Sequence, residues 1–421
     1  MAWHPHLWHP TTQVATSQEP LRVQSARGSE LELSDGRRLI DAISSWWVTL
    51  HGHAQPSIAD AVARQARSLE QVGFSDFRHP AAEQLAERLA ACSGLERLFF
   101  SDNGSTAVEV ALKIAWQWWR NRGEPRQQLI AFEGAYHGDT FGAMAVGERS
   151  LFSEAFEPLL FAVARAPSPA TWWGDDGVEA REAAALARLE QLLDTPTAAV
   201  ILEPLLQGAG GMALVREGFL RRVEALVRAS GALLIADEVM TGFGRSGHLF
   251  ACQRAGIHPD LMALSKGLTG GFLPMGVTLA REAIYAGFIG TAPGLTLFHG
   301  HSFTANPLGC AAALASLDLL QERPERYRQF GARHRPHLEA LARHPLVRRP
   351  RLLGSVAAFE VATDTPGYLN PVGPRLQRLA LEQGVFLRPL GQVVYLLPPL
   401  CLDDDQLAHC YAVIGAALSS L

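Results

Sequence analysis

One segment decides how the fold is interpreted: Leu233-Leu234-Ile235-Ala236-Asp237-Glu238. Its apolar run is typical of a buried strand, and it ends in two acids before a glycine-rich loop at 241–247. A second apolar run leads to Lys266. An acid at one strand end and a lysine at the next suit pyridoxal phosphate (PLP), because the lysine can bond to the cofactor's aldehyde while the acid keeps its ring nitrogen protonated. The alternative is that Asp237 caps a helix and Lys266 is a solvated surface residue.

Composition narrows the class of protein. The 421 residues are enough for two or three domains, and 48% hydrophobic with 19% charged residues is ordinary for a globular protein. A net charge of −5 gives no electrostatic reason to bind nucleic acid or an anionic membrane. The five cysteines are scattered, and the N-terminus lacks the features of a signal peptide. We therefore expect a cytoplasmic protein without nucleic-acid or membrane partners.

Strand and helix patterns alternate through the middle of the chain. They predict an α/β fold with a mainly parallel sheet, helices on both faces and a ligand beyond the carboxyl ends of the strands. Residues 150–194 are predicted as a loop-rich insertion that ends in a helix, and Ser57 and Asp60 are spaced as a capping box. The predicted strands lie at 98–100, 129–132, 198–202, 232–236 and 261–264, and the helices at 81–91, 106–119, 219–229 and 306–322.

The character of the sequence changes beyond about residue 325. A basic helix, strands near 355–361 and 393–397 and a closing helix from Asp403 predict a smaller α+β domain, which a hairpin at 30–41 would complete. The expected divisions are an N-terminal segment at 1–50, a large domain at 51–324 and a C-terminal domain at 325–421.

Two loops after strands carry candidate ligand-binding residues. Gly104 and the free amides at the start of its helix can bind an anion, with Ser105 and Thr106 as hydroxyl donors, although an ordinary helix cap explains them too. Tyr136 can stack on a planar ring and His137 lies beside it. Both could equally be packing residues, but their loop lies at the same predicted edge as Gly104.

Charged and aromatic residues outside these loops supply further candidates. Glu203 ends a strand as either a solvated acid or a hydrogen-bond partner in the site, with Arg245 as its expected ionic partner. Of the adjacent Trp46 and Trp47, one should lie in the core and the other could line a pocket. Arg388 suits bidentate capture of a carboxylate, with a surface salt bridge as the alternative.

Three histidines raise the question of a metal. His299 and His301 are close in sequence, and His137 could join them. No further ligand follows at a metal-like spacing, so a metal site is the less favoured interpretation.

Together these segments resemble the class III, PLP-dependent aminotransferases of fold type I, nearly end to end. The match rests on 237–245 and on Ser265-Lys266-Gly267. Within that family, five segments resemble one subgroup more specifically. They are Leu7-Trp8-His9-Pro10, Ser44-Ser45-Trp46-Trp47, residues 136–142, residues 207–212 and Arg388-Pro389. The resemblance implies transfer of an amino group from S-adenosylmethionine to 8-amino-7-oxononanoate, which gives 7,8-diaminononanoate in biotin biosynthesis.

The resemblance also implies residue roles in a homodimer with active sites at the subunit interface. Lys266 would hold the cofactor and move a proton, and Asp237 would pair with the ring nitrogen. The other implied contacts are Gly104 and Ser105 at the phosphate, Tyr136, His137 and Glu203 at the cofactor, His301 and Ser302 at the neighbouring subunit's phosphate, and Trp46, Trp47, Tyr136, Gly300, Arg388, Tyr395 and Thr11 around the small-molecule substrates.

Two positions depart from the family pattern. Thr11 stands where a Tyr implicated in recognising the amino donor is usual. Lysine as donor, or the activity of another class III ω-aminotransferase, therefore stays open. His301-Ser302 replaces a common Pro-Thr, but Ser302 retains a hydroxyl and His301 a backbone amide for a phosphate. A PLP-binding regulator would need a DNA-binding domain, for which no segment is left.

Overall fold

The structure is a computed structural model that describes residues 3–421. In chain order its strands are β1 Val23–Arg27, β2 Glu30–Leu33, β3 Arg38–Asp41, β4 Arg97–Ser101, β5 Gln128–Phe132, β6 Ala164–Ala166, β7 Thr197–Leu202, β8 Leu206–Gln207, β9 Ala213–Leu214, β10 Leu233–Asp237, β11 Leu261–Leu264, β12 Gly276–Ala280, β13 Val347–Leu353, β14 Val356–Val361, β15 Val385–Phe386 and β16 Val393–Leu396.

Helices cover the sheets and join the strands. In chain order they are α1 Ser44–Trp47, α2 Pro56–Ala66, α3 Pro80–Ser93, α4 Gly104–Asn121, α5 Phe141–Val146, α6 Val178–Leu193, α7 Glu217–Ser230, α8 Ala251–Ala255, α9 Glu282–Ala286, α10 Pro307–Glu322, α11 Glu325–Arg328, α12 Phe330–Leu341, α13 Val372–Glu382 and α14 Asp404–Ser419. Short 3₁₀ turns lie at Glu154–Leu159, Lys266–Thr269 and Pro293–Leu295.

The central sheet has seven strands in the order β4-β12-β11-β10-β7-β5-β6. β12 runs antiparallel to its neighbours β11 and β4, and the other neighbouring strands pair in parallel. The predicted α/β fold with a mainly parallel sheet is confirmed. β12 is a strand that the sequence analysis did not identify.

Both faces of the central sheet are buried. In β10, Leu233 and Ile235 belong to the apolar cluster that includes the buried face of α4. Leu234 and Ala236 belong to the cluster on the opposite face, together with residues of α7. Because each face has its own cover, the strands are continuous apolar runs instead of alternating ones. Full burial of one Leu or Ile side chain is worth about 1.5–3 kcal/mol, so the sheet is a rigid base for the loops at its edge.

Two smaller sheets complete the fold. β13, β14 and β16 form an antiparallel sheet, and β1, β2, β3 and β15 form the other. In the second sheet the predicted hairpin of β2 and β3 pairs with β15, where Val385 lies opposite Ile40. The N-terminal strands are therefore joined to the C-terminal part of the chain. The division into three parts at residues 50 and 324 itself stays a prediction.

One local prediction was wrong and another was incomplete. α2 begins at Pro56, with Gln55 as its N-cap and no side-chain cap, so Ser57 and Asp60 form no capping box. Proline fixes its own backbone in a helical φ and lacks the N–H that a cap would satisfy, which makes it suited to a helix start. Residues 150–194 end in α6 as predicted, but they also contribute β6 to the edge of the central sheet.

None of the helices among residues 3–421 is both long enough and apolar enough to cross a lipid bilayer.

Candidate active site

The candidate site lies where β5, β7, β10 and β11 end. Asp237 is the last residue of β10 and lies opposite Ala263 of β11, three residues before Lys266. Glu203 follows β7, and Tyr136 and His137 follow β5. Because parallel strands end at one edge of a sheet, side chains that are far apart in sequence meet there. The predicted clustering of these residues is confirmed.

Lys266 is one of two lysines in the chain, the other being Lys113. It begins a 3₁₀ turn with a φ of 41°, a backbone conformation that costs a non-glycine residue about 1–3 kcal/mol. Its Nζ lies 5.2 Å from the centroid of the Trp47 ring. Burial lowers the pKa of Lys266, and the carboxylates of Asp237 and Glu203 act in the opposite direction. A lowered pKa leaves more of the amine unprotonated, so that it is available as a nucleophile and as a general base.

Two donors fix the orientation of the Asp237 carboxylate. Its Oδ2 lies 2.7 Å from His137 Nδ1, and its Oδ1 accepts from the Val239 amide at 3.0 Å. Because Oδ2 can only accept while it is ionised, the proton of His137 lies on Nδ1. His137 Nε2 is buried without a hydrogen-bond partner among the described residues. A buried carboxylate held in this way can face a cation without reorienting.

Glu203 is buried and held by backbone amides. It accepts from the amides of Tyr136 and Gly208, each at 2.9 Å. Burial raises the pKa of Glu203 to about 7, with His137 opposing the shift and Asp237 adding to it. The expected ion pair between Glu203 and Arg245 is wrong. Arg245 donates instead to the Pro398 carbonyl at 2.7 Å.

The loop at the start of α4 fits an anion. Gly104 has no room for a side chain, since a Cβ there would lie 2.7 Å from Val239 Cγ1. The Ser105 hydroxyl accepts from the Asp139 amide at 3.2 Å. The expectation that Thr106 offers a hydroxyl donor is wrong, because its Oγ1 donates to the Asn103 carbonyl at 2.9 Å and accepts from the Asn103 amide at 3.0 Å. That capping box starts the helix and leaves Ser105 as the available hydroxyl.

Tyr136 borders the open side of the site with 38% of its surface exposed. Burial raises the pKa of its hydroxyl, and the adjacent Asp139 carboxylate raises it further. The phenol therefore stays protonated. The sequence analysis did not identify Asp139 as a site residue, although it is three residues after Tyr136.

An irregular turn presents the two tryptophans. Ser44, Ser45 and Trp47 all have positive φ values, and Asp41 holds this turn by accepting from the Ser45 amide at 2.6 Å. Trp47 is 6% exposed and donates to the Tyr395 hydroxyl at 2.9 Å. Trp46 is 45% exposed. The expectation of one core and one accessible tryptophan is confirmed, but the backbone is a strained helical turn, and the supporting role of Asp41 was missed.

Arg388 lies over the exposed tryptophan. Its guanidinium carbon is 3.8 Å from the centroid of the Trp46 ring, which is a cation–π contact. Its Nη2 donates to Thr11 Oγ1 at 3.2 Å. Within residues 3–421 the Arg388 side chain has no carboxylate partner, so the surface-salt-bridge alternative is wrong.

The loop before α10 lies beside the segment that leads into α4, with His301 Nδ1 3.6 Å from Asp102 Oδ2. His301 Nε2 lies 3.2 Å from His299 Nε2, and the His301 amide donates to Thr304 Oγ1 at 2.9 Å. The Ser302 carbonyl accepts from Gln71 at 2.9 Å, and Gly300 is exposed. Within one chain the His301 amide is therefore engaged, whereas the Ser302 hydroxyl has no hydrogen-bond partner among residues 3–421. No group of three or more His, Cys, Asp or Glu side chains in residues 3–421 is arranged to hold a metal ion.

Comparison with known proteins identifies the family. The sequence model of the aminotransferase class-III family matches residues 12–418. The chain belongs to this family. It is an aminotransferase with the fold of the PLP-dependent transaminases, and the predicted family and fold type are confirmed.

Two curated relatives align along most of their length. The adenosylmethionine-8-amino-7-oxononanoate aminotransferase of Synechococcus elongatus is 57% identical, with 100% of both chains covered. The protein of the same name from Geobacter sulfurreducens is 41% identical, with 96% of this chain and 93% of the relative covered.

Two solved structures superpose closely on this chain. The adenosylmethionine-8-amino-7-oxononanoate aminotransferase of Methanocaldococcus jannaschii has a TM-score of 0.91 at 31% identity, covering 99% of this chain and 97% of its own. An amine transaminase from an uncultivated Pseudomonas species, solved in its PLP-bound form, has a TM-score of 0.93 at 31% identity and covers 100% of both chains.

The residues of this site fit PLP. A Cβ at Gly138 would lie 2.1 Å from Ser105 Oγ, so the two loops meet too closely for any side chain there and leave the Ser105 hydroxyl at the start of α4. Lys266 supplies an amine with a lowered pKa, and Asp237 supplies an oriented carboxylate. A buried, unpartnered His137 Nε2 is a further polar atom beside Asp237. An aldehyde, a ring nitrogen and a phosphate thus each have a matching group.

Proposed function

We propose that this aminotransferase uses PLP to move the amino group of S-adenosylmethionine to 8-amino-7-oxononanoate, giving 7,8-diaminononanoate for biotin biosynthesis. The strongest support is the 57% identity, over the full length of both chains, to the relative that is named for this reaction. The site supports the proposal because it combines a lysine, an oriented acid and an unpaired arginine. The donor would leave with a carbonyl in place of its amine, and the ketone of the acceptor would become an amine.

Bound PLP would supply an electron sink for the carbon that carries the amino group. Lys266 would hold the cofactor and then carry a proton to and from that carbon, a task for which its lowered pKa is suited. Asp237, oriented by His137, would pair with the protonated ring nitrogen. Ser105 and the start of α4 would hold the phosphate.

The pocket wall suits a substrate that ends in a carboxylate. Trp47 and Tyr395 are buried, hydrogen-bonded to each other, and would exclude water from the reacting carbon. Tyr136 would stack at the open side. The Arg388 guanidinium has N–H groups left for two carboxylate oxygens after its bond to Thr11.

Assembly as a homodimer is part of the proposal. Gly300, His301 and Ser302 lie on an exposed loop whose flanking residues Phe298 and Phe303 are 75% and 61% exposed. Apolar side chains exposed in this way are typical of a protein interface. In the dimer the Ser302 hydroxyl and the loop backbone would reach the phosphate of the neighbouring subunit. A solution mass of twice 45.7 kDa is expected, and a monomer that is active would contradict the assignment.

We also place the protein in the cytoplasm. All five cysteines are free, and two of them, Cys92 and Cys401, are only half-buried. Unpaired accessible thiols are typical of a reducing compartment.

A donor screen tests the reaction. Purified enzyme loaded with PLP is incubated with 8-amino-7-oxononanoate and one of S-adenosylmethionine, lysine or an ω-amino acid, and 7,8-diaminononanoate is measured by mass spectrometry. Product with S-adenosylmethionine, and none from Lys266→Ala protein, is expected. Product from lysine alone would overturn the donor assignment. Absence of product with every donor, together with turnover of a simple amine and pyruvate, would overturn the acceptor assignment.

A further inference from the structure

The N-terminal segment at residues 3–18 touches the site through one polar contact. Its other hydrogen bonds are internal, such as that from Thr12 Oγ1 to the Pro10 carbonyl at 2.9 Å. Among the described residues, the bond from Arg388 Nη2 to Thr11 Oγ1 is the hydrogen bond that joins residues 3–18 to the rest of the chain. This segment contains no strand or helix.

Thr11 has a strained backbone where it makes this contact. Its φ is 51°, in the left-handed region, where a β-branched residue is an outlier. Strain of this kind persists only where surrounding contacts favour it, and it concentrates at functional sites. The conformation places the hydroxyl on the guanidinium.

One face of the guanidinium is covered by an aromatic ring. Trp46 packs against Arg388 at 3.8 Å, and the two residues lie on neighbouring segments that are joined by the hydrogen bond from the Ala42 amide to the Phe386 carbonyl. Stacking fixes the plane of the guanidinium but leaves it free to rotate within that plane. A hydrogen bond at one N–H removes the rotation, because the five donors of arginine form a rigid fork.

We propose that Thr11 is a positioning residue that acts through Arg388. Its hydroxyl fixes the rotation of the guanidinium on the Trp46 ring, and the remaining N–H groups then present a preset fork to a substrate carboxylate. The inference rests on the proposed function for the presence of a carboxylate on the acceptor. It assigns Thr11 to the recognition of that carboxylate, through Arg388, and to no other part of either substrate.

The test compares three variants of the PLP-loaded enzyme. Thr11→Val keeps the branched shape and removes the hydroxyl, Thr11→Ser keeps the hydroxyl, and Thr12→Val removes the neighbouring hydroxyl that does not touch Arg388. KM and kcat are measured with 8-amino-7-oxononanoate. Binding of nonanoate, an unreactive carboxylate of the same chain length, and of its uncharged methyl ester is followed by the cofactor's absorbance.

Thr11→Val is expected to raise KM and the nonanoate Kd three- to tenfold, with kcat and ester binding within twofold of wild type. Thr11→Ser and Thr12→Val should stay within twofold throughout. In an Arg388→Ala background, Thr11→Val should cause no further loss, because a residue that acts through another has no effect once its partner is removed.

Three results would overturn the inference: equal losses in Thr11→Val and Thr12→Val, equal losses of nonanoate and its ester, or an additive loss in the Arg388→Ala background. Each would show that Thr11 only anchors the segment. If wild-type enzyme does not turn over 8-amino-7-oxononanoate, the proposed function fails, whereas the nonanoate comparison still decides the role of Thr11.

Discussion

Gly138→Ala is expected to weaken cofactor binding while leaving the fold in place. The added Cβ would lie 2.1 Å from Ser105 Oγ, 2.6 Å from Ser105 Cβ and 2.9 Å from Ser105 Cα. The last distance involves the backbone, so the Ser105 loop itself must move. The φ of Gly138, 127°, adds a strain of about 1–3 kcal/mol for an alanine.

The loss of affinity follows from the Ser105 hydroxyl. A hydrogen bond to a charged group is worth about 1.5–3 kcal/mol, so displacing this hydroxyl should weaken PLP binding about 10- to 100-fold. The assay is the PLP dissociation constant by absorbance, with the melting temperature of the apoprotein measured alongside.

A matched control separates the clash from backbone strain. Gly174 also has a positive φ, 75°, but a Cβ there meets nothing within 4 Å. Gly174→Ala should therefore lower the melting temperature without changing PLP affinity. Folded Gly138→Ala protein that binds PLP as tightly as wild type would refute the placement of the phosphate at Ser105.

Two further predictions concern buried histidines. His137→Phe removes the donor to Asp237, a bond worth about 1.5–3 kcal/mol, so kcat should fall about 10- to 100-fold; a kcat within twofold of wild type would show that Asp237 does not need this support. Burial lowers the pKa of His334 to about 3, so between pH 6.5 and about 3 the unfolded chain binds a proton that the folded protein does not. The free energy of unfolding is thus retained above pH 6.5 and lost on acidification, by up to about 1.4 kcal/mol per pH unit for this residue. Urea titrations at pH 7.5, 6.5 and 5.5 should show a shallower loss for His334→Gln, and equal slopes would contradict this origin.

The sequence predicted the centre of the site because its signals are local. Asp237, Glu203 and Lys266 each follow an apolar run that reads as a buried strand, and parallel strands must end at one edge. To predict that these three side chains lie close together, one therefore needs to know only the order of the strands in the sheet, and the fold class constrains that order.

The periphery of the site depends on contacts that no local pattern shows. Thr11 and Arg388 are 377 residues apart, and the pairing of β15 with β3 brings Arg388 to Trp46. Asp41 holds the tryptophan turn through backbone amides, which any sequence supplies. The hydroxyl of Thr106 is used in a helix cap because Asn103 precedes it at capping distance, which is the alternative that the sequence left open.

Lys266 is proposed to carry the cofactor, and because the chain has only two lysines this assignment is easy to test. Enzyme loaded with PLP is reduced with borohydride, digested and examined by peptide mass spectrometry. Lys113, exposed on α4, is the other lysine in the sequence and serves as an internal control. A pyridoxyl group at one equivalent per chain on the Lys266 peptide, with the Lys113 peptide unmodified, is predicted. Modification of Lys113 alone, or of neither lysine, would contradict the account.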